Sequence, residues 1–296
     1  MPRLTLPKLI SILLIISAIY YFCLQKTAKI TVQVPNIVHF VLLKEESFNQ
    51  VELDFISATC ILAAYLHQIP QKIIIHSNFE TISGKYWNIS KSVIGSKLQL
   101  SEVKRPTHVF GYPLSSIHHS SDVIRLKILL EQGGIFLDLD TFLVKKLDEF
   151  FENEVTLGWP KGQNIGSQII LAKPNAYFIK LWLQSYKDYR ASMWYYNAGE
   201  APTKNILEQN PNLVHRVSEL FGVQGLSQEL YAQEKWGKWK EFYSIHLLAR
   251  HRQYLVPEDF SQIQEFDEVN IQNYTKTFGE MAKSIWNHPN VAEYLV

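Results

Sequence analysis

Two aspartates, Asp138 and Asp140, lie two positions apart in the apolar run GGIFLDLDTFL at residues 133–143. A carboxylate among isoleucine and leucine side chains is costly to bury unless a cation pairs with it. Carboxylate oxygens are the ligands that Mg2+ and Mn2+ prefer, and such a site leaves positions open for phosphate oxygens. The pattern therefore predicts a divalent-cation site that neutralises a diphosphate leaving group.

A second polar pair precedes this run. Asp122 and Arg125 are three residues apart on a predicted helix, so we expect them to be neighbours on one face of its first turn. Asp138 and Asp140 alternate with leucines on the strand that follows, so we expect them to point the same way. Both pairs then face one crevice, where a carboxylate and a forked guanidinium can hold sugar hydroxyls. The combination predicts transfer of a sugar from a nucleotide diphosphate.

The elements that must position these residues alternate between strand and helix. Residues 36–43 are a continuous apolar run typical of a parallel sheet, residues 51–67 have helical spacing, and residues 72–78 are the next strand. This opening predicts an α/β fold with a Rossmann-like sheet. Ligands of such a sheet bind at the carboxyl ends of its strands.

The helix before the aspartates has recognisable ends. Ser120 or Ser121 is predicted to cap its start. Gly133 and Gly134 are predicted to end it, because glycine accepts the positive φ angles of a tight exit. A strand over residues 135–140 follows at once.

Composition limits the classes of function. The chain has 296 residues, of which 47% are hydrophobic, and this is enough for a sizeable core. Its net charge of +1 gives no general attraction for polyanions, so we expect no nucleic-acid partner. The two cysteines, Cys23 and Cys60, allow no disulfide within the folded part because Cys23 lies in the N-terminal apolar run.

The N-terminal segment is predicted to be a membrane anchor. Residues 9–24 carry no charge and are slightly fewer than the roughly 20 apolar residues of a typical span. No small-x-small cleavage site follows, which favours an uncleaved signal-anchor over a cleaved signal peptide. The predicted organisation is a cytoplasmic tail at 1–8, a transmembrane helix at 9–24, a short stem at 25–33 and one domain at 34–296.

Two predicted N-glycosylation sites, Asn88 and Asn273, would place that domain in the secretory lumen. The positive charges on either side of residues 9–24 balance, so they do not fix the orientation. With a lumenal domain, the chain would be a single-pass type II glycoprotein of the Golgi membrane.

The string Ser-Asp-x-x-Arg, seven residues, Gly-Gly-x-Phe-x-Asp-x-Asp occupies residues 121–140. It resembles the signature of the DXD-containing sugar transferases of glycosyltransferase family 32. The similarity extends from VPNIVHFV at 34–41 to SIWNH at 284–288. The resemblance implies a GT-A fold, a mixed sheet flanked by helices, with Mn2+ or Mg2+ as cofactor and retention of anomeric configuration. It also implies a nucleotide-sugar donor, favouring a UDP-sugar, and a glycan or glycolipid acceptor.

The resemblance further implies roles for individual residues. Asp122 and Arg125 would bind the donor sugar, Asp138 would contact ribose and sugar, and Asp140 would ligate the metal. Ser284, in a Ser-x-Trp pattern, would complete the metal site with the two DXD aspartates. Four further positions would belong to the donor site: Val41, Leu42, Ser121 and Trp286.

The resemblance to the family's acceptor loop gives Asn164, Gly166 and Ser167 as acceptor residues. Leu42 stands where relatives often place a tryptophan against the nucleobase, which leaves the base of the donor open. His39 is interpreted as a core histidine. Aromatic residues further along are candidates for stacking on acceptor sugars, with most expected in the core and rim: Trp182, Tyr186, Tyr189, Trp194, Tyr195 and Tyr196.

Two other functions stay open. The stretch IFLDLDTFL at 135–143 also fits the Asp-x-Asp-x-Thr pattern of haloacid-dehalogenase phosphatases, with Asp138 as nucleophile and Asp140 as acid and base. That interpretation needs a downstream pair of metal-binding aspartates, and the remaining aspartates are scattered. The other alternative is a non-catalytic lumenal sugar-binding protein.

Overall fold

The computed structural model describes residues 32–45, 47 and 50–295. Residues Gln33–Val296 form one compact unit. The predicted cytoplasmic tail, the predicted transmembrane helix and most of the predicted stem, residues 1–31, lie outside the described residues. In the part of the chain that is described, no helix combines the length and the apolar character needed to cross a bilayer.

Within the described residues, a mixed sheet of seven strands forms the centre of this unit, in the order β12-β10-β11-β8-β1-β3-β5. β1, β3, β5 and β8 run parallel, whereas β11 is antiparallel to both β8 and β10. The strands in chain order are β1 (Ile37–Leu42), β2 (Val51–Glu52), β3 (Lys72–Ser77), β4 (Ile82–Ser83), β5 (Leu98–Glu102), β6 (His108–Val109), β7 (Tyr112–Pro113), β8 (Gly134–Leu137), β9 (Thr141–Leu143), β10 (Val155–Gly158), β11 (Ile169–Ala172), β12 (His215–Val217) and β13 (Ser244–His246).

Helices cover both faces of the sheet, and alternate residues of a strand face opposite sides. On β8, Ile135 and Leu137 pack in the larger core cluster, and Phe136 packs in a second cluster with the helix that follows β7. This arrangement confirms the predicted α/β fold. The α-helices are α1 (Phe55–Gln68), α2 (Lys85–Ile94), α3 (Ile117–Gln132), α4 (Tyr177–Ser185), α5 (Ser227–Tyr231), α6 (Arg252–Leu255), α7 (Pro257–Gln262), α8 (Asn270–Asn273), α9 (Thr277–Trp286) and α10 (Pro289–Ala292).

The first helix begins later than the apolar spacing predicted. Val51 and Glu52 form the short strand β2, which pairs with β4. Asp54 then accepts a hydrogen bond from the Ser57 N–H at 2.8 Å, and this N-cap sets the start of α1 at Phe55. The predicted strands on either side agree closely with β1 and β3.

The cap of α3 also differs from the prediction. Ser116, not Ser120 or Ser121, caps the helix, and its Oγ accepts a hydrogen bond from the His119 N–H at 3.2 Å. Ser120 lies inside the helix and donates its hydroxyl to the Pro106 carbonyl at 2.9 Å. Because the helix starts earlier, the Asp122 and Arg125 pair lies beyond its first turn.

The end of α3 agrees with the prediction. Gly133 and Gly134 have φ angles of +67° and +104°. A Cβ on Gly134 would lie 2.8 Å from both His39 Nε2 and the Ile37 carbonyl oxygen, so only glycine fits this exit. His39 Nε2 donates to the Gly133 carbonyl at 3.1 Å, and its Nδ1 then accepts from His76 Nε2 at 3.0 Å. His39 is fully buried, which confirms a core histidine, and burial with His76 alongside lowers its pKa to about 3.

The two aspartates do not lie on a strand, as their alternation with leucines predicted. β8 ends at Leu137, and residues 138–140 form a tight turn in which the Thr141 N–H donates to the Asp138 carbonyl at 2.8 Å. β9 leaves this turn and pairs antiparallel with β13. The carboxylates therefore lie at the carboxyl end of β8, where a parallel sheet binds its ligands.

Candidate active site

Arg125 joins the two polar pairs. Its Nη2 lies 3.1 Å from Asp122 Oδ1 and 3.1 Å from Asp138 Oδ1. Its Nη1 donates to the Ser167 carbonyl at 2.8 Å and to the Ser167 hydroxyl at 3.1 Å. The guanidinium carbon also lies 4.6 Å from the centre of the Phe136 ring. The structure thus brings Asp122, Arg125 and Asp138 together, as the sequence predicted.

Arg125, Asp122 and Asp138 form an ion-pair cluster in which two carboxylates face one guanidinium. Burial raises the pKa of Asp122 and of Asp138, and the positive charge of Arg125 opposes that rise. Two carboxylates therefore share one guanidinium. A ligand group that supplies hydrogen-bond donors or positive charge would find an acceptor here.

A group with the geometry of a metal site overlaps this cluster at Asp138. Asp138, Asp140 and His246 each offer one ligand atom, and these atoms lie within 4.8 Å of one another. β13 pairs with β9 so that His246 stands opposite Thr141, next to the turn. Two carboxylates and an imidazole together fit a divalent cation. Among the described residues, this is the group that matches the predicted cation site.

Asp140 and His246 are a coupled pair, with His246 Nε2 at 3.2 Å from Asp140 Oδ1. Burial alone would raise the pKa of Asp140, but His246, Arg250 and the Ala249 N–H together lower it to about 2. Burial alone would lower the pKa of His246, but the Asp140 carboxylate outweighs it and raises that pKa above its ordinary value. Because a metal binds the neutral imidazole, binding here would displace a proton from His246.

The structure does not bring Ser284 or Trp286 to this site. Ser284 is exposed on α9, and its hydroxyl donates to the Met281 carbonyl at 2.6 Å. Trp286 is fully buried, its ring stacks on Phe55 with centroids 4.8 Å apart, and its Nε1 donates to Thr59 Oγ1 at 2.7 Å. Trp286 is therefore a core residue between α1 and α9, and its predicted donor contact is wrong.

The protein side chain that accompanies the two aspartates is His246, which replaces the predicted Ser284. Nothing in the local sequence around His246 marks it as a ligand, since the strand that carries it has three residues. Its position depends on the long-range pairing of β13 with β9. The available signal was weak: a histidine between apolar residues needs a polar partner if it is buried.

The predicted nucleotide positions lie at the edge of the sheet that holds the aspartates. β1 runs parallel to β8, with His39 opposite Phe136, so the carboxyl ends of the two strands meet at this edge. Val41 and Leu42, the last residues of β1, are both buried. Ser121 is half-buried on α3. Their contacts with a nucleotide stay predictions.

A cavity of about 410 Å³ lies beside the ion-pair cluster of Arg125. Gln168, the residue that precedes β11, is one of the residues that line it. Of the predicted acceptor residues, Asn164 and Gly166 line it, whereas Ser167 faces Arg125 instead. The lining residues are Gln163, Asn164, Gly166, Gln168, Tyr195 and Val223. Most of the aromatic residues considered for sugar stacking belong to the core: Trp182, Tyr186, Tyr189 and Tyr196.

Both predicted glycosylation asparagines are exposed. Asn88 lies on α2, where Ser90 of the same tripeptide is buried and donates its hydroxyl to the Tyr86 carbonyl at 2.8 Å. Asn273 is the last residue of α8, and Thr275 beyond it is exposed. Their modification stays a prediction.

Residues 74–157 match the family model described as "Glycosyltransferase sugar-binding region containing DXD motif". This DXD region of the chain is similar to the sugar-binding region of DXD glycosyltransferases. This DXD region extends from β3 into β10 and contains Asp122, Arg125, Asp138 and Asp140, but not His246. The match confirms the resemblance to the DXD sugar transferases and supports a glycosyltransferase as the class of enzyme.

A curated relative of this chain is Glucan organizing enzyme 1 of Cryptococcus neoformans var. grubii serotype A. The two are 28% identical over 200 residues, which cover 63% of this chain and 53% of the relative. The chain therefore spans about half the length of that protein.

Solved structures of glycosyltransferases are also similar to this chain. PaToxG glycosyltransferase has 17% sequence identity and a TM-score of 0.43, with 60% of this chain and 70% of that chain covered. The glycosyltransferase GlyE of Streptococcus pneumoniae TIGR4 has 10% identity and a TM-score of 0.47, with 87% and 64% covered.

Proposed function

We propose that the chain is a metal-dependent retaining glycosyltransferase of the GT-A fold. It transfers a sugar from a nucleotide-diphosphate donor, most simply a UDP-sugar, to a glycan or glycoconjugate acceptor. The observation that carries this proposal is the shared position of Asp138, which belongs both to the ion-pair cluster of Arg125 and to the metal-ligand group of His246. Sugar binding and diphosphate binding thereby meet at one carboxylate.

The metal-ligand group would hold Mn2+ or Mg2+ through Asp140, His246 and Asp138. When bound, the cation neutralises charge on the departing diphosphate. The turn at residues 138–140 keeps both carboxylates at the end of β8, and the N–H of Ala249 donates to Asp140 Oδ2 at 3.2 Å, which orients that side chain. The two carboxylates and the imidazole support a divalent cation.

The donor sugar would lie against Asp122 and Arg125. Asp122 offers a hydrogen-bond acceptor and Arg125 a donor, and the two are already fixed by their contact at 3.1 Å. Asp138 would contact ribose and sugar, and Val41, Leu42 and Ser121 would lie beside the nucleotide. Because the two side chains are already ordered before the donor binds, little free energy is lost in ordering them on binding.

Transfer proceeds on one face of the sugar. The acceptor hydroxyl oxygen forms a bond to the anomeric carbon from the side on which the diphosphate leaves. The bond between that carbon and the phosphate oxygen breaks, and its electron pair departs with the diphosphate, which takes up the hydroxyl proton. Asp122 and Arg125 hold the sugar in a fixed orientation relative to the acceptor hydroxyl and the diphosphate.

We place the enzyme in the Golgi membrane, with residues 9–24 as a single-pass type II anchor and the catalytic domain in the lumen. The uncharged apolar run and the exposure of Asn88 and Asn273 support this location. The name of the fungal relative, a glucan organizing enzyme, favours a polysaccharide as the acceptor.

The test is release of nucleoside diphosphate from a panel of sugar nucleotides, with and without Mn2+. We expect one donor to be hydrolysed slowly in the presence of Mn2+, and Asp140→Asn to remove most of that turnover without unfolding the protein. Asp267→Asn is the matched control, because the Asp267 carboxylate accepts hydrogen bonds from the Val269 and Asn270 N–H groups at 2.8 and 2.7 Å, which asparagine can also accept. Cleavage of phosphate esters instead would favour a phosphatase, and neither activity would favour a sugar-binding protein.

A further inference from the structure

Trp194 is exposed, in contrast to the core aromatic residues near it. Its side chain is 55% exposed, although it is one of the largest apolar groups in the protein. His119 Nε2 donates to its carbonyl oxygen at 3.1 Å, which fixes the backbone. Its ring lies edge-on to His118, with centroids 4.8 Å apart and an interplanar angle of 65°. The indole therefore packs against His118 on one side and leaves more than half of its surface open to solvent.

A chain of contacts connects this ring to the metal-ligand group. His118 Nε2 lies 3.1 Å from Arg250 Nη1. Arg250 directly follows Ala249, whose N–H donates to Asp140 Oδ2 at 3.2 Å. Trp194 is thus connected to Asp140 through His118, the Arg250 side chain and Ala249.

The next residue, Tyr195, extends this connection to the cavity. Tyr195 lines the cavity, and its hydroxyl donates to the Ile165 carbonyl, so the backbone after Trp194 is fixed to the cavity wall. None of the lining residues is charged, and three of them are carboxamides: Gln163, Asn164 and Gln168. Trp194 is therefore connected through Tyr195 to a cavity that is lined by uncharged side chains.

One polar atom of the residues that line this cavity has no partner within the described residues. Gln168 Oε1 is buried and accepts no hydrogen bond within the described residues. It lies against the backbone of Gly166, where a Cβ would come within 2.5 Å of it. A buried acceptor without a donor is costly, and a ligand hydroxyl would satisfy it.

We infer that Trp194 is a stacking platform for the acceptor and that the acceptor is an uncharged saccharide whose hydroxyl groups bind Gln168 and Asn164. This inference rests on the proposed function for the role of acceptor. An aromatic face contributes a rigid apolar surface at low entropic cost, which suits the hydrocarbon face of a pyranose ring. A few carboxamides placed in a cavity then fix orientation through hydroxyl groups, without selecting for charge.

The test measures binding, which does not depend on turnover. Neutral oligosaccharides and carboxylated oligosaccharides are titrated into the full chain with Mn2+ and UDP present, and bound saccharide is followed by ligand-detected NMR. We expect neutral oligosaccharides to bind, and Trp194→Ala to weaken that binding by about tenfold, while Trp194→Phe stays within about threefold of the wild type.

Tyr177→Ala is the matched control, because Tyr177 is also exposed, at 56%, but begins α4 near the opposite end of β11. It should bind neutral saccharides like the wild type. The inference is overturned if the wild type binds no neutral saccharide, binds only carboxylated ones, or if Trp194→Ala binds neutral saccharide as tightly as the wild type. The hydrolysis assay tests the proposed function separately. A protein that binds neutral saccharide but hydrolyses no sugar nucleotide would contradict the proposed function and not the binding surface.

Discussion

His246 Nε2 lies 3.2 Å from Oδ1 of Asp140, the second carboxylate of the DXD motif. The contact joins β13 to the turn after β8, two segments that are far apart in the sequence. His246 and Ser284 are therefore the two candidates for the third protein ligand of a metal. His246 contacts Asp140, whereas Ser284 lies on α9.

We expect His246→Ala to lower Mn2+ affinity by at least about tenfold, because it removes an imidazole from a group of three ligands. Ser284→Ala should leave the affinity unchanged, because its hydroxyl donates to the Met281 carbonyl. Titration of each metal-free variant with Mn2+, followed by calorimetry, makes the comparison. An unchanged affinity in His246→Ala with a loss in Ser284→Ala would restore the serine as the ligand.

The affinity for Mn2+ should fall as the pH is lowered, and the fall should begin above the ordinary histidine pKa of about 6.5. The reason is that Asp140 raises the pKa of His246 in the metal-free protein, so protons compete with the cation earlier than at a free histidine. Asp140 itself, with a pKa of about 2, stays ionised throughout this range. Mn2+ titrations between about pH 5 and 8 measure the effect, and His246→Ala should have the flatter profile. A wild-type affinity that is constant down to pH 6 would contradict the raised pKa.

Loss of the Arg125 guanidinium, which Asp122 and Asp138 share, should destabilise the fold. Arg125→Ala leaves Asp122 and Asp138 without their counter-charge, and loss of one partner of a buried pair costs about 3–5 kcal/mol. Lys240→Ala is the control, because Lys240 and Glu280 form an exposed pair at 2.7 Å that should contribute less than about 1 kcal/mol. Urea unfolding in EDTA measures both. Equal free energies of unfolding for the two variants would show that the carboxylates do not depend on Arg125.

The exit from α3 should tolerate no side chain at Gly134. Gly134→Ala combines a φ of +104° with a Cβ at 2.8 Å from His39 Nε2 and from the Ile37 carbonyl. Gly162→Ala also has a positive φ, +73°, but its Cβ would meet nothing within 4 Å. We expect about 1 kcal/mol of destabilisation at Gly162 and at least about 3 kcal/mol at Gly134, measured by thermal unfolding. A similar loss in both variants would mean that strain alone, and not the close approach, governs this position.

Local sequence patterns predicted the elements that carry the ion-pair cluster. Apolar runs located β1 and β3, and the paired glycines located the end of α3. Asp122, Arg125 and Asp138 could be placed together because a helix, a two-glycine exit and a strand connect them within a short segment, which leaves few possible arrangements. The cap was misplaced since several serines precede Asp122, and only tertiary contacts decide that Ser116 is the one outside the helix.

Residues that depend on long-range pairing were not predictable in the same way. His246 reaches the turn only because β13 pairs with β9, and a three-residue strand has no periodicity from which that pairing follows. Trp286 fits a local Ser-x-Trp pattern, but its burial against Phe55 and Thr59 is decided by the packing of α9 on α1. Short patterns specify chemistry only when the fold also delivers the side chain to the site.

The pairing of β9 with β13 has a consequence for the order in which the protein matures. A nascent chain that has been synthesised only as far as Tyr243 already contains the DXD turn, the seven strands of the sheet and Arg125, but it has no imidazole to set beside Asp140. Under the proposed function, all three ligands could hold a cation only after β13 has left the ribosome and paired with β9. A chain truncated before Ser244 would lack His246, and it would also lack the residues of α9 that pack on α1 in the core.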